Sequence, residues 1–280
     1  MAAVEDTSFQ YQTVKVERDG GVVFVVLNRP EKRNAMNPQM HEEMVQVLSR
    51  LEFDQESRVL VLTGAGDVSW CAGQDLKEFF RDLDGKPAEF KRAGWASQEW
   101  RWRQLWTFPK PTIAMVNGYC FGGAFTPLVA CDFAIAAEDA TFGLSEINWG
   151  IIPGGLVSRV LAEALSYRDA IYYIMTGEPF QAKKAEEMKL ITKAVPRERL
   201  LEETMALATT LIARNPDALR VAKQVYKHCK DMNYEQAEDY INAKTALLMA
   251  SDKEGGRAKG ISQFIDDKTY RPGLGAYTRG

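Results

Sequence analysis

Apolar positions along this chain follow two regimes. Up to about residue 200 they come in short runs that alternate with helical patterns, and beyond it the spacing is helical throughout. Val22 to Leu27 (VVFVVL) and Val59 to Thr63 (VLVLT) are unbroken apolar runs, as expected of strands buried on both faces. Thr13 to Glu17 reads as a strand joined to the first of these through Asp19-Gly20-Gly21, a hairpin signal. Pro38 to Leu51 sets Met40, Met44, Leu48 and Leu51 on one helical face. A further strand is predicted over Pro111 to Val116, a helix over Phe125 to Cys131 and a last strand over Leu190 to Val195, closed by Pro196. Helices are then predicted over Arg197 to Ala213, Asp217 to Lys230, Tyr234 to Met249 and Lys253 to Asp267. Residues 1–10 carry no pattern and are expected to fray. The pattern therefore predicts an α/β core over 1–200 and a helical region over 201–280, whose apolar faces must be covered by the core or by a partner subunit.

Two junctions in the core invite chemistry. The strand ending at Val116 turns through Asn117-Gly118, reaches Gly122-Gly123 and runs at once into a helix. The strand ending at Thr63 leads through Gly64-Ala65-Gly66 to Cys71-Ala72-Gly73-Gln74, with a helical run from Asp75. Glycines at such junctions permit tight turns and leave backbone N–H groups uncovered at a helix start, where negative charge is favoured. Two junctions can aim one N–H each at a shared oxygen. Glu146, between Gly143 and Gly150 and before an apolar segment, has surroundings that can raise a carboxyl pKa and suit general acid-base work. Taken alone, each feature reads more readily as a glycine-rich turn or a surface glutamate.

Composition narrows the options. The 280 residues carry a net charge of −3, with 26% charged and 46% hydrophobic residues, so there is no global attraction to nucleic acid or to an anionic membrane. Any polyanionic ligand needs a local cationic patch, and Asn28 to Asn34 offers one in Arg29, Lys32 and Arg33, unless that segment is merely a solvated basic turn. Cys71, Cys120, Cys131 and Cys229 are scattered and mostly in apolar context, which suggests reduced core thiols in a cytoplasmic protein, and neither Cys71 nor Cys120, which border the two turns, has a histidine nearby in sequence. His41 and His228 are the only histidines, and no zinc-ligand spacing occurs, so no metal site is expected. The start MAAVEDTSF lacks the apolar stretch of a secretory signal, and no run has the length of a membrane span. VLVLTGAG resembles the opening of a dinucleotide fold, but position 69 is Ser69 where a third glycine is required. Trp95, Trp102 and Trp106 have near-helical spacing, which fits a core-facing stripe, an aromatic wall for a ring-bearing ligand, or both.

Taken together, NRPEKRNAM (28–36), AGQDLKEF (72–79), NGYCFGGAF (117–125) and FGLSEINWGIIPGG (142–155) resemble the crotonase (enoyl-CoA hydratase/isomerase) superfamily in order and spacing. SEINWGI (145–151), LVACD (128–132), YYIMTG (172–177) and EDYINAK (238–244) are most similar to its hydroxycinnamoyl-CoA (feruloyl-CoA) hydratase-lyases. The resemblance covers nearly the whole chain. It implies a ββα spiral core with a helical C-terminal oligomerisation region, a homotrimer or a hexamer built as a dimer of trimers, an acyl-CoA substrate, and no cofactor besides the coenzyme A of that substrate. It further implies that the N–H groups of Gln74 and Gly123 hold the thioester oxygen and that Glu146 handles protons. Thr126 matches the second glutamate of simple hydratases and keeps only a hydroxyl. Arg29, Lys32 and Arg33 would meet the CoA phosphates, and Ala72, Asp75, Leu76, Gly122 and Trp149 would line the substrate. Phe79 stands where a phenol-binding tyrosine is usual, and its companion matches Tyr240. The implied activity is hydration and retro-aldol cleavage, turning feruloyl-CoA into vanillin and acetyl-CoA. An ordinary enoyl-CoA hydratase or another crotonase acting on a different acyl-CoA is the rival reading. A dehalogenase would want an aspartate within Ile151 to Gly155, which is absent. A nucleic-acid-binding or scaffold homologue finds support only in Arg101, Arg103 and the tryptophans, against an acidic pI of about 5.7.

Overall fold

The strands of the computed structural model are β1 (Val4–Glu5), β2 (Val14–Asp19), β3 (Val22–Leu27), β4 (Val59–Gly64), β5 (Ser69–Cys71), β6 (Thr112–Val116), β7 (Tyr119–Phe121), β8 (Phe133–Ala137), β9 (Thr141–Gly143), β10 (Phe180–Gln181) and β11 (Lys193–Val195). Residues 3–252 and 255–268 are described. Seven strands form one sheet in the order β1-β2-β3-β4-β6-β8-β11, and four form a second in the order β10-β9-β7-β5. From β3 onward the large sheet is parallel, and every residue of β3 and β4 is buried, which is why both read as unbroken apolar runs.

The chain repeats one move three times: a strand of the large sheet, a short loop, a strand of the small sheet, then a helical segment. β4 leads to β5, β6 to β7 and β8 to β9, and both sheets keep the same strand sequence. This is a ββα spiral. Its short second strands, two to three residues each, are too brief to leave a periodic signal, so the sequence pattern predicts none of the small sheet. The N-terminus departs from the expected fraying. Val4–Glu5 pairs antiparallel with Arg18 and Glu17, and Phe9 is buried under the Arg50 guanidinium. The last strand is shorter than predicted, because Leu190 and Ile191 are buried in a turn rather than in the ladder.

By backbone contacts the chain divides into two compact units, residues 1–108 with 112–206, and residues 109–111 with 207–280. The first holds both sheets and the long helix Pro38–Phe53, capped by Asn37 and burying Met40, Met44 and Leu48. The second is helical, with Pro216–Cys229, Tyr234–Ser251 and Gly256–Ile265. Asn215 caps the first of these, and a capping box of Asn233 and Gln236 starts the next. Their facing sides meet through His228 on Tyr240 and through Lys244 Nζ donating to Gln224 Oε1. Tyr226, Leu247, Met249 and Phe264 are exposed. Among the described residues no helix is long and apolar enough to cross a membrane.

Candidate active site

Strand order builds the site. β5, β7 and β9 are parallel neighbours, so their C-terminal ends emerge side by side, with Cys71 opposite Cys120 and Phe121 opposite Gly143. The segment after each strand is therefore set in a row: Ala72-Gly73-Gln74, then Gly122-Gly123, then Ser145-Glu146. Spacing in the row is close. A Cβ on Gly73 would lie 2.7 Å from the Phe121 carbonyl oxygen and 3.2 Å from the Gly123 nitrogen, and its φ of +91° is one that side chains avoid. A Cβ on Gly122 (φ +51°) would lie 2.9 Å from Glu146 Oε1.

No backbone acceptor takes the N–H of Gln74 or of Gly123 among the described residues. The Gln74 peptide is oriented from both sides: Met36 N donates to the Gly73 carbonyl and Asp75 N to the Met36 carbonyl. Its side chain is held as well. Trp100 Nε1 donates to His41 Nδ1 at 2.8 Å, so the neutral ring carries its proton on Nε2, which donates to Gln74 Oε1 at 3.1 Å. Gln74 Nε2 then donates to the Met36 carbonyl at 3.1 Å. Burial first, and the Arg101 charge second, push the His41 pKa well below its usual value, in keeping with that neutral form. His41 is thus a structural clamp on the first turn, a role its charge-rich helical context did not signal.

Glu146 is the second residue of a 3-10 turn, Ser145–Trp149, and lines a cavity of about 380 Å³. Its Oε2 is buried without a hydrogen-bond partner, and desolvation raises its pKa. Ala72, Gln74, Leu76, Phe79, Gly122, Gly123 and Trp149 also line this cavity. So do Phe80, Phe90, Ser97, Gln98 and Arg101. The aromatic wall is therefore made of phenylalanines. Phe79 packs on Phe80 and Phe90 at centroid distances of 5.1 and 5.4 Å. The tryptophan spacing misleads, because Glu99–Gln104 is a π-helical stretch that rotates the later residues off the expected face. Trp102 and Trp106 stack on each other elsewhere, Trp95 is exposed, and Trp100 is buried on His41. Phe90, Ser97 and Arg101, in contrast, recur at helical spacing, a signal that the tryptophans masked.

Six of the expected site residues do not line the cavity. Arg29 is buried and ion-paired with Asp75 and Glu78, so its charge is already neutralised and it is withdrawn from the phosphate-binding set. Asp75 is occupied by the same pair and by the N–H groups of Lys77 and Glu78, which makes it a cap and not a substrate contact. Thr126 is buried, and its hydroxyl donates to the Gly155 carbonyl at 2.8 Å, so it anchors a loop instead of presenting a free hydroxyl. Tyr240 belongs to the second unit, where its ring meets His228 and Lys244. Lys32 and Arg33 are exposed, with the Arg33 guanidinium 5.7 Å from the Tyr119 ring centroid. Cys71 is not among the residues that line this cavity, and burial pushes its pKa up to about 12.

Comparison with known proteins identifies the family. Residues 17–271 match the profile of the Enoyl-CoA hydratase/isomerase family. The chain is 52% identical over 271 residues, 96% of its own length and 98% of the other's, to a hydroxycinnamoyl-CoA hydratase-lyase of Pseudomonas fluorescens. It is 32% identical, over 92% of its length and 96% of the other's, to a probable enoyl-CoA hydratase of Mycobacterium bovis. Among solved structures, an enoyl-CoA hydratase from Bacillus anthracis superposes with a TM-score of 0.82 at 29% identity, covering 91% of this chain and 97% of that one. The match over residues 17–271 and the 52% identity over nearly the whole length show that the chain belongs to the enoyl-CoA hydratase/isomerase (crotonase) family.

Proposed function

We propose that this protein hydrates the side-chain double bond of a hydroxycinnamoyl-CoA thioester and cleaves the hydrated product by a retro-aldol step, releasing an aromatic aldehyde and acetyl-CoA. The observation that carries the reading is the single carboxyl, Glu146, set against Gly122 beside two free N–H groups, with Thr126 tied to Gly155 where a second carboxylate would stand. One proton-handling group suits a sequence in which the same atom position is served twice. The N–H groups of Gln74 and Gly123 receive the thioester oxygen and stabilise its enolate. Glu146 guides water to the β-carbon and protonates the α-carbon. It then takes the proton of the new β-hydroxyl, the Cα–Cβ bond breaks, and the enolate is protonated to acetyl-CoA. The wall of Phe79, Phe80 and Phe90 suits a planar ring.

Coenzyme A enters as part of the substrate and no further cofactor is invoked. The exposed apolar residues of the helical unit, Tyr226, Leu247 and Met249 among them, support a trimeric or hexameric assembly, and a cytoplasmic location is part of the same proposal. The test is incubation with feruloyl-, 4-coumaroyl-, cinnamoyl- and crotonyl-CoA, with the aldehyde measured. Feruloyl-CoA should yield vanillin and cinnamoyl-CoA should not be cleaved, because a para-hydroxyl assists reaction at the β-carbon and needs a polar partner. Phe79 cannot hydrogen-bond and Tyr240 does not line the cavity, so Phe79→Tyr, which restores a hydroxyl to the wall, should leave cleavage of feruloyl-CoA intact or raise it. Equal cleavage of both substrates would favour the rival, a crotonase for another acyl-CoA.

A second prediction concerns the adenosine phosphates. With Arg29 committed to Asp75 and Glu78, Lys32 and Arg33 are the exposed cations of the turn. Neutralising both should raise KM several-fold and flatten its dependence on salt, since exposed charges act through a screened field. An unchanged KM between low and high ionic strength would mark the turn as solvated only.

A further inference from the structure

We infer that Arg101 is the second polar group of the reaction, donating through Nη2 to the β-oxygen of the substrate and stabilising the alkoxide from which the carbon–carbon bond breaks. The inference rests on the retro-aldol reading above. Arg101 is 4% exposed, lines the cavity, and has no carboxylate partner among the described residues. Its Nε donates to the Ser97 carbonyl at 3.0 Å and its Nη1 to the Gly123 carbonyl at 3.1 Å. Those two bonds fix the plane of the guanidinium and leave Nη2 against Gly155, where a Cβ would stand only 2.6 Å away.

Two successive residues locate the charged groups relative to each other. A Cβ on Gly122 would meet Glu146 Oε1 at 2.9 Å, and one on Gly123 would meet Arg101 Nη1 at 2.9 Å. Carboxyl and guanidinium thus pack against neighbouring glycines of one turn, without pairing with each other. Nη2 occupies the Gly155 side, to which the Thr126 hydroxyl is also tied. Where a two-carboxylate site would set a second acid, this one sets a cation. Burying a cation without a counter-charge is costly, and Arg101 stands in the π-helical stretch Glu99–Gln104. Burial lowers its pKa to about 10, which still leaves it charged at neutral pH.

That charge fits the cleavage step. Glu146 removes the β-hydroxyl proton, and negative charge appears on the β-oxygen. The C–O bond becomes C=O as the Cα–Cβ electron pair passes to the thioester enolate, and Glu146 returns the proton to the α-carbon. A cation at the β-oxygen makes the first of these events easier. During hydration the same cation eases deprotonation of water while lowering its nucleophilicity, so its effect on that step nearly cancels.

The experiment follows hydration and aldehyde formation separately with feruloyl-CoA. Arg101→Gln keeps a donor at about the Nε position, next to the Ser97 carbonyl, but carries no charge; it should keep hydration within a few-fold while cleavage falls about 100-fold, the worth of one charge-assisted hydrogen bond, and the β-hydroxy thioester should accumulate. Arg101→Lys keeps the charge but cannot serve Gly123 and the β-oxygen together, so its cleavage should fall about tenfold relative to hydration. An unchanged cleavage-to-hydration ratio in the folded Gln variant overturns the role, and the Lys variant applies the same criterion if the Gln variant does not fold. A wild type that forms no aldehyde overturns the activity and this role together. Aldehyde formed equally fast by wild type and Arg101→Gln overturns the role of Arg101 alone.

Discussion

Glu146→Gln is expected to fold, bind the thioester, and lose hydration and cleavage together by about 10²–10⁴-fold, the usual worth of a general acid-base group. Joint loss follows from geometry, because the other position able to hold a carboxylate, Thr126, spends its hydroxyl on the Gly155 carbonyl. Loss of less than tenfold in either step would remove Glu146 from that step. Two further measurements separate a catalytic from a structural role. Desolvation raises the Glu146 pKa, so the active carboxylate form should be lost on acidification at a higher pH than for an ordinary glutamate. The same sign governs stability. A carboxyl whose folded pKa is raised favours the folded state while protonated, and that contribution disappears as pH rises through the folded pKa. Glu146→Gln, neutral at every pH, should therefore melt at or above the wild-type temperature at neutral pH. A marked fall in Tm would mean that Glu146 holds the fold instead.

The second large effect is expected at Gly123. Its N–H has no backbone acceptor among the described residues and lies beside the Gln74 turn, 3.2 Å from where a Cβ on Gly73 would sit. Gly123→Pro deletes that donor, but any side chain here also brings a Cβ to 2.9 Å from Arg101 Nη1. Gly123→Ala carries the same Cβ and keeps the N–H, so the comparison of the two isolates the donor. The proline variant should have a kcat about 10²–10³-fold below the alanine variant, roughly 3–4 kcal/mol of transition-state stabilisation. Near-ultraviolet circular dichroism must show both folded. Equal kcat values in two folded variants would move the thioester oxygen away from Gly123.

Much of this site was legible along the chain because its parts are local. Gly122-Gly123 and Gly73 mark turns that backbone sterics require, and Glu146 stands between Gly143 and Gly150, where burial raises its pKa. What misled were features whose meaning depends on distant partners. Arg29 reads as a free cation until Asp75 and Glu78, more than forty residues on, take its charge. Thr126 reads as a hydroxyl available for water until the Gly155 carbonyl claims it. The tryptophans read as a helical stripe because a π-helical turn cannot be told from an α-helical one by apolar spacing.

By itself the sequence determined the α/β character of the core, the buried parallel strands β3 and β4, the helical second unit, and the backbone turns that leave N–H groups uncovered. Each of these follows from side-chain periodicity or from allowed backbone angles, which act within a few residues. Only the tertiary structure decided that the segments after β5, β7 and β9 lie in one row, because strand order in a sheet is a non-local choice. Tertiary packing likewise decided which charged groups are spent and which are not. Arg29 and Arg101 are the same residue type, and both are buried. One meets two carboxylates, and the other meets two carbonyls and an open cavity, so the first holds the fold and the second is left with charge to offer a substrate.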